Sequence, residues 1–408
     1  MILSFSVTNF GPIKDTITLD LQCGCYKEHS DTTAPFGDQS YNKMIAMFGP
    51  NASGKSSFIH ALRTMKLMVF NSTLAAVGEA LPYNPFLFLE KIAKPTVFNL
   101  RFTANGVEFH YAFSYNRNSI LSESLHYSPA GRDTIIFERK DQAFTFTSFE
   151  KELRPLVEKN LPNKLFLVTA SQFNFALAHQ VFDFFESELS IVEENVLFTL
   201  GRNSNLTALM NDAVIADPHY KSFVLAFLKA ADLNIVDISV KKQRINIPSP
   251  INGWPSIQEN QYEVKLFHEV DGKSFPLPLQ AESQGTIYLF GLAVVFYKAF
   301  IKDQVIVCDE LDASMHPALL KMLIQSFAAS ASANSQLIFT THNTSIMSDE
   351  LFRRDQIWFF DKDEHAQSEL FSLADFGARP TDKYERDYLL GRYGAVPAVM
   401  TYLKEGDQ

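Results

Sequence analysis

The sequence predicts an α/β fold whose later part is a parallel sheet, and three stretches carry that expectation. Met44–Phe48 is an apolar strand-like run that opens into a glycine-containing loop and then a helix from about Gly54 to Phe70. Residues 97–147 alternate apolar and polar in successive short segments, the pattern of an antiparallel meander. The final third alternates helix (285–300), strand (304–308), helix (317–331) and strand (335–340). Strands that recur with a helix between them are the signature of parallel pairing, which needs a crossover connection.

The remaining segments fall in place around these. Residues 3–9 and 16–22 alternate on either side of Gly11-Pro12 and read as a hairpin, and the polar stretch 24–42 reads as a loop. Inside the meander, Phe98, Leu100 and Phe102 lead to Asn105-Gly106, and Val107, Phe109, Tyr111 and Phe113 lead back. Asn-Gly between alternating runs is a strong hairpin signal. Leu121, Glu123, Leu125 and Tyr127 continue a third strand. From about 173 to 232 the period turns helical, with Phe182, Phe185 and Leu189 on one face. Sustained heptads are missing, so a compact helical insertion is expected there. Strands return at 235–247 and 261–279, the latter split by Asp271-Gly272. The expected division is therefore an N-terminal lobe (1–172), a helical insertion (173–234) and a C-terminal lobe (235–408).

Composition excludes several classes. The chain has 408 residues, 46% hydrophobic, with 37 Phe and 14 Tyr, which is material for a large core. No apolar run is expected to reach the ~18 residues of a membrane span, and Met1-Ile-Leu-Ser-Phe lacks the basic start of a signal peptide. Three cysteines, Cys23, Cys25 and Cys308, are too scattered for a disulfide framework, so a reducing cytoplasm is expected. The net charge of −10 gives no basic face of the kind a dedicated nucleic-acid binder displays. Lys241-Lys242-Gln243-Arg244 is either a local nucleic-acid contact or a solvated strand end.

Gly49-Pro-Asn-Ala-Ser-Gly54-Lys55-Ser56 matches G-x-x-x-x-G-K-[ST] in full, between a strand and a helix as the motif requires. Loop amides from Asn51, Ala52, Ser53 and Gly54, together with Ser57 in the helix, are placed to cradle phosphates. Lys55 reaches the β- and γ-phosphates of ATP and the Ser56 hydroxyl ligates Mg²⁺. Val305-Ile-Val-Cys308-Asp309-Glu310 is an apolar strand ending in two acids. In such a site the first acid holds Mg²⁺ and the second polarises the attacking water as general base; two acids in this position also commonly cap the next helix. Leu311-Asp312-Ala-Ser-Met-His316-Pro317 follows at once, and Gln336-Leu-Ile-Phe339-Thr340-Thr341-His342 puts a histidine just past a further buried strand. Taken in this order, His342 reads as a γ-phosphate sensor.

This succession resembles the ABC-type ATPase head of SMC and RecF proteins. The resemblance implies an α/β P-loop head with a β-meander and a helical insertion, and ATP hydrolysis between two heads, each completing the other's site. Glu282-Ser283-Gln284-Gly285-Thr286 stands where those families carry Leu-Ser-Gly-Gly-Gln. Ser283 and Gly285 keep the serine and second glycine, while Gln284 and Thr286 depart from the pattern. Ser283 is either that trans contact or a plain helix N-cap. Gln172, after the meander, stands at the family's Q-loop, where it would touch Mg²⁺ and the attacking water.

A wider resemblance covers nearly the whole chain. Ser4-Phe-Ser-Val-Thr-Asn-Phe-Gly, the Glu282-Ser-Gln-Gly segment and Gly391-Arg392-Tyr393-Gly394-Ala-Val-Pro397 are similar to stand-alone bacterial ATPases of abortive-infection and anti-phage systems, including AbiL and PARIS, and to the ATPase half of OLD nucleases. This implies a homodimer or higher homo-oligomer joined through its heads and a separate effector, a nuclease or toxin. Only 66 residues follow His342, and they show neither a Toprim constellation nor an Arg-x₄-His motif. Arg392 either reaches a nucleotide or partner, or braces a turn. The rival readings are a RecF-like repair ATPase acting on DNA and a nucleotide-locked scaffold without turnover.

Overall fold

The computed structural model describes residues 1–72, 76, 78–88, 94–192, 217–231, 234–247, 257–313, 315–330, 332 and 334–396. Along the chain the elements run β1 (Ile2–Thr8), β2 (Ile17–Asp20), β3 (Thr33–Phe36), β4 (Gln39–Asn42), β5 (Met44–Phe48), α1 (Lys55–Asn71), β6 (Thr96–Ala104), β7 (Val107–Tyr115), β8 (Ile120–Ser128), β9 (Thr134–Lys140) and β10 (Ala143–Thr145). Then come α2 (Glu150–Leu153), α3 (Phe166–Gln172), α4 (Ala176–Asp183), β11 (Leu189–Val192), α5 (Pro218–Ala230), β12 (Ile235–Ile247), β13 (Ile257–Val270) and β14 (Lys273–Pro278). The series closes with α6 (Gln284–Ile301), β15 (Val305–Cys308), α7 (Pro317–Ser330), β16 (Gln336–Thr340), β17 (Ile357–Lys362), β18 (Ser368–Ser372) and α8 (Tyr384–Leu389). The chain forms two compact units, one of residues 1–191, 303–309 and 333–408, the other of 192–302 and 310–332.

The first unit holds an antiparallel sheet ordered β10-β9-β8-β7-β6-β1-β2 and a second sheet ordered β11-β15-β16-β5-β17-β18. In the second sheet β15, β16, β5 and β17 are mutually parallel, and β18 returns antiparallel to β17. Helix α1 contributes to the core of both sheets. Phe58 meets Phe5 of β1 edge-on at 5.2 Å between ring centroids and Phe360 of β17 at 5.6 Å. Gln336, fully buried, ties the sheets directly: its Oε1 accepts the Ile2 amide at 2.6 Å, and its Nε2 donates to the Ile2 and Asn42 carbonyls at 2.9 and 3.1 Å.

The alternation read in 97–147 forms the strands β6 to β10, with Asn105-Gly106 at the first turn and both residues in the left-handed region. The stretch 24–42, expected as loop, contains the β3–β4 hairpin, which turns at Gly37. Pro35 and the short four-residue strands hide it from periodicity. Of the expected insertion 173–234, α4 lies in the first unit and α5 in the second. Residues 193–216 and 232–233 of that span, Ser314 of the run after Glu310, and Pro397 lie outside the described residues.

The second unit pairs β12, β13 and β14 antiparallel and packs α5, α6 and α7 by aromatic contacts. Tyr297 of α6 meets Tyr220 and Phe223 of α5 at 5.6 and 5.4 Å, and Phe296 meets Phe327 of α7 at 5.9 Å. The expectation that no segment has the length and apolarity of a membrane span is corrected here. α6 is 18 residues long with a mean hydropathy of 1.4, which meets both measures. Gln284 and Lys298 near its ends break the run by eye. Most of the helix is buried inside the protein, and a core helix surrounded on all sides is apolar for that reason.

One buried network joins the meander to α3. The Glu123 carboxylate of β8 accepts the Phe166 and Leu167 amides at 2.7 and 2.9 Å and the Tyr111 hydroxyl at 3.1 Å. Arg139 of β9 stands 3.5 Å from it and donates to the carbonyls of Lys164 (2.7 Å), Pro162 (3.0 Å) and Asp141 (2.7 Å). Burial, the larger influence, raises the Glu123 carboxyl, and Arg139 and the two amides pull it back down. Removing one partner of a buried pair strands the other charge away from water. Glu123→Ala is expected to lose about 3–5 kcal/mol in denaturant unfolding, and Glu123→Ala with Arg139→Met less than Glu123→Ala alone.

Candidate functional site

The site begins where β5 ends. Phe48 is its last residue, Gly49 follows, and the loop turns through Ala52 at φ 63° into α1. Gly49 has φ 146° and Gly54 has φ 115°, values that favour glycine. Space forbids a side chain at either: a Cβ on Gly49 would collide with the Phe360 carbonyl oxygen, and one on Gly54 with the Ser368 hydroxyl. The loop therefore lies against the β17–β18 hairpin with no room to spare. Asn51 and Ala52 are exposed, Ser53, Gly54 and Lys55 are buried, and Ser56 and Ser57 are half-buried.

Lys55 Nζ donates to the carbonyls of Gly49 at 2.7 Å and Pro50 at 2.9 Å, which holds the ammonium over the loop. No side chain caps the N-terminus of α1 at Gly54. Its first-turn amides are thus left to an anion, and the helix dipole adds to the attraction. The residues fit a nucleotide phosphate: a glycine cradle that a Cβ would fill, a buried lysine beside it, and an uncapped helix start.

Parallel pairing brings the other motifs to the same sheet edge. Met47 of β5 stands opposite Thr340 of β16, and Phe339 stands opposite Cys308 of β15. The chain consequently leaves β5 at Gly49, β15 at Asp309 and β16 at Thr341 on one side of the sheet, and the Thr341 amide donates to the Met47 carbonyl at 3.1 Å. Asp309 is held by Thr340, whose hydroxyl donates to its Oδ1 at 2.6 Å. His342, two residues past β16, is exposed. Asp309 and Ser56 offer hard oxygen donors of the type Mg²⁺ takes, shared with phosphate oxygens.

Glu310 follows Asp309 in the left-handed region at φ 52°, an unusual conformation for a glutamate. The chain passes from the first unit to the second at this residue. Within the second unit, the Glu310 carbonyl accepts the Ala313 amide at 2.9 Å and the Tyr288 hydroxyl at 3.2 Å. Ser283 is the N-cap of α6, its hydroxyl accepting the Thr286 amide at 3.1 Å, and Gly285 lies in the first turn. The adjacent Glu282 accepts from His268 at 2.6 Å. Gln172 is the exposed last residue of α3, where Lys164 Nζ donates to its Oε1 at 3.0 Å. No hydrogen bond joins it to the Gly49–Ser56 loop among the described residues.

Sequence reasoning missed a groove of about 390 Å³ beside α1, lined by Phe10, Ser57, His60, Arg63, Tyr83 and Asn84. The Gly11 amide donates to the Asn84 carbonyl at 2.8 Å, which ties the segment holding Tyr83 and Asn84 to the β1–β2 turn. Arg392 braces a turn, its Nη1 donating to Asp387 at 2.7 Å, while the Ala395 amide donates to Asp361 at 2.7 Å.

A sequence family described as "AAA domain, putative AbiEii toxin, Type IV TA system" matches residues 44–348, well over half of the chain. The chain belongs to this family. The match, to an AAA domain, takes in Gly49–Ser56, Asp309-Glu310 and His342. No curated protein matches the chain. Among solved structures it is similar to the SMC head domain from Thermotoga maritima, with 14% identity, 91% of this chain and 98% of that one covered, and a TM-score of 0.41. It is also similar to an SMC head bound to the C-terminal winged-helix domain of ScpA (13%, 91% and 97%, 0.45). A third is an SMC head with an extended coiled coil bound to the C-terminal domain of ScpA, derived from Pyrococcus furiosus (11%, 91% and 96%, 0.41).

The glycine seam of this AAA-domain protein is open to a direct test. Gly49→Ala and Gly54→Ala are each expected to lower stability by about 1–3 kcal/mol through overpacking and strain. Gly37→Ala, which also has φ > 0 but open space around it, is expected to cost less. Thermal denaturation of the three variants side by side measures the difference.

Proposed function

We propose that this AAA-domain ATPase binds MgATP at the β5–β15–β16 edge, hydrolyses it between two copies of the chain, and uses the cycle to control a separate effector in anti-phage defence. The observation that carries the nucleotide reading is the convergence of Gly49–Ser56, Asp309 with Thr340, and His342 at one end of parallel strands. Lys55 and the first-turn amides of α1 take the phosphates, and Ser56 and Asp309 hold Mg²⁺. When bound, the metal neutralises charge on the phosphate oxygens. Glu310 accepts the proton of the attacking water, and His342 contacts the γ-phosphate. The left-handed backbone at Glu310 supports its assignment, because strain of this kind concentrates at functional positions. The groove along α1 offers space for the nucleoside beside Ser57.

Ser283 and Gly285, at the exposed start of α6, serve the nucleotide of a second copy. Gln172 joins Mg²⁺ and water only if α3 shifts, since Lys164 now occupies its side-chain oxygen. The family's description, "AAA domain, putative AbiEii toxin, Type IV TA system", supports the defence setting over DNA repair.

Lys55→Ala is expected to abolish ATP binding in calorimetry, because the loop loses the charge that neutralises phosphate. Glu310→Gln is expected to keep binding, to lose turnover by at least a hundredfold, and to accumulate as an ATP-bound oligomer in size-exclusion chromatography. Wild-type turnover in Glu310→Gln refutes the base assignment. On mixing Ser283→Arg with Lys55→Ala subunits, partial recovery of activity is expected, since one composite site stays intact. Absence of recovery despite subunit exchange contradicts a shared site in which either half can fire alone.

A further inference from the structure

Two buried hydroxyls lie behind the phosphate loop, where it backs onto the β17–β18 hairpin. Ser53 Oγ and Ser368 Oγ have no hydrogen-bond partner among the described residues, although their residues are only 1% and 5% exposed. Ser368 stands against Gly54, so closely that its hydroxyl and Cβ fill the space a Gly54 side chain would need. Ser53 Oγ lies 3.1 Å from the corresponding point on Gly49, on the side where Phe360 packs. The main chain of Ser368 is already engaged, its amide donating to the Pro12 carbonyl at 3.0 Å. Its hydroxyl is unpaired among the described residues.

A hydroxyl kept from water without a partner is costly, and one retained beside a candidate site points to a role in that site. The element packed against Ser368 is the Gly49–Ser56 loop, which comes so close at Gly54 that no side chain fits between the two. We infer that Ser368 is a positioning residue of the nucleotide site: its hydroxyl bonds to the Gly49–Gly54 backbone when the loop closes on phosphate, and Ser53 completes the same polar seam. Ser368 touches no substrate atom. It acts through the loop, holding the amides where the phosphates need them, and its bond is formed in the nucleotide-bound state and not before.

This inference rests on the nucleotide reading above and makes a prediction that a purely structural serine does not. Removing an unpaired buried hydroxyl leaves the ligand-free protein as stable or more stable, while nucleotide binding loses one hydrogen bond. The full chain as wild type, Ser368→Ala and Lys55→Ala is to be compared by ligand-free thermal melting, ATP calorimetry and steady-state kinetics. Ser368→Ala is expected to melt at or above the wild-type temperature, to bind ATP about five- to tenfold more weakly, and to raise KM by that factor at unchanged kcat. Wild-type ATP affinity in Ser368→Ala overturns the positioning role and leaves the nucleotide site standing. A lower ligand-free melting temperature with an unchanged ATP-induced shift likewise overturns it, as the mark of a structural residue. Absence of ATP binding by the wild type overturns the nucleotide reading, and the role of Ser368 falls with it.

Discussion

The parallel pairing of β5 with β16, and of β16 with β15, is the constraint from which the site follows. Each strand delivers one polar segment at its carboxyl end, and the register aligns those ends. A slip of a single residue would turn every side chain of the slipped strand to the opposite face. Buried contacts at the other end of the strands oppose such a slip. Gln336 at the start of β16 is bonded to Ile2 and Asn42, so it links β16 to β1 and to the approach of β5. The apolar runs Met44–Phe48, Val305–Cys308 and Gln336–Thr340 are fully buried, as strands covered on both faces are.

Close packing then shapes the loop. Backbone at Gly49 and Gly54 occupies ground that any side chain would contest, and Ala52 joins them in the left-handed region. The walls of this channel are Phe360 and Ser368, on a hairpin more than 300 residues away in sequence. The same hairpin is anchored behind by the C-terminal turn, where Asp361 accepts the Ala395 amide and the Tyr388 hydroxyl donates to the Ala395 carbonyl at 2.7 Å. The Gly391-Arg392-Tyr393-Gly394 run thereby has a physical role. It leads into Ala395, whose amide meets β17 at Asp361, one residue beyond the carbonyl that packs on Gly49.

What could be read from the chain in advance divides along this line. Contiguous patterns were legible: the glycine-containing loop between β5 and α1, the meander from alternation, and the places of Asp309 and His342 just past buried strands. Relations between distant segments were not. Nothing near Thr340 announces that it holds Asp309, and nothing near Ser368 announces Gly54. Ser283 showed both of its features, a cap for α6 and a family-like setting, and the cap is the one visible within a single chain. Gln172 was placed by order alone, and the structure puts it at a helix end paired with Lys164. Hydropathy misled at α6, because a helix buried by its own protein and one buried by lipid are apolar for the same reason.

If the sheet edge gathers one MgATP site, the metal and the lysine loop act on the same ligand. ATP affinity measured by calorimetry with and without Mg²⁺, in wild type and in Asp309→Ala, tests this most directly. Mg²⁺ is expected to tighten ATP binding in the wild type, and Asp309→Ala to lose this increment while keeping metal-free affinity. An undiminished Mg²⁺ increment in Asp309→Ala would contradict a single MgATP site.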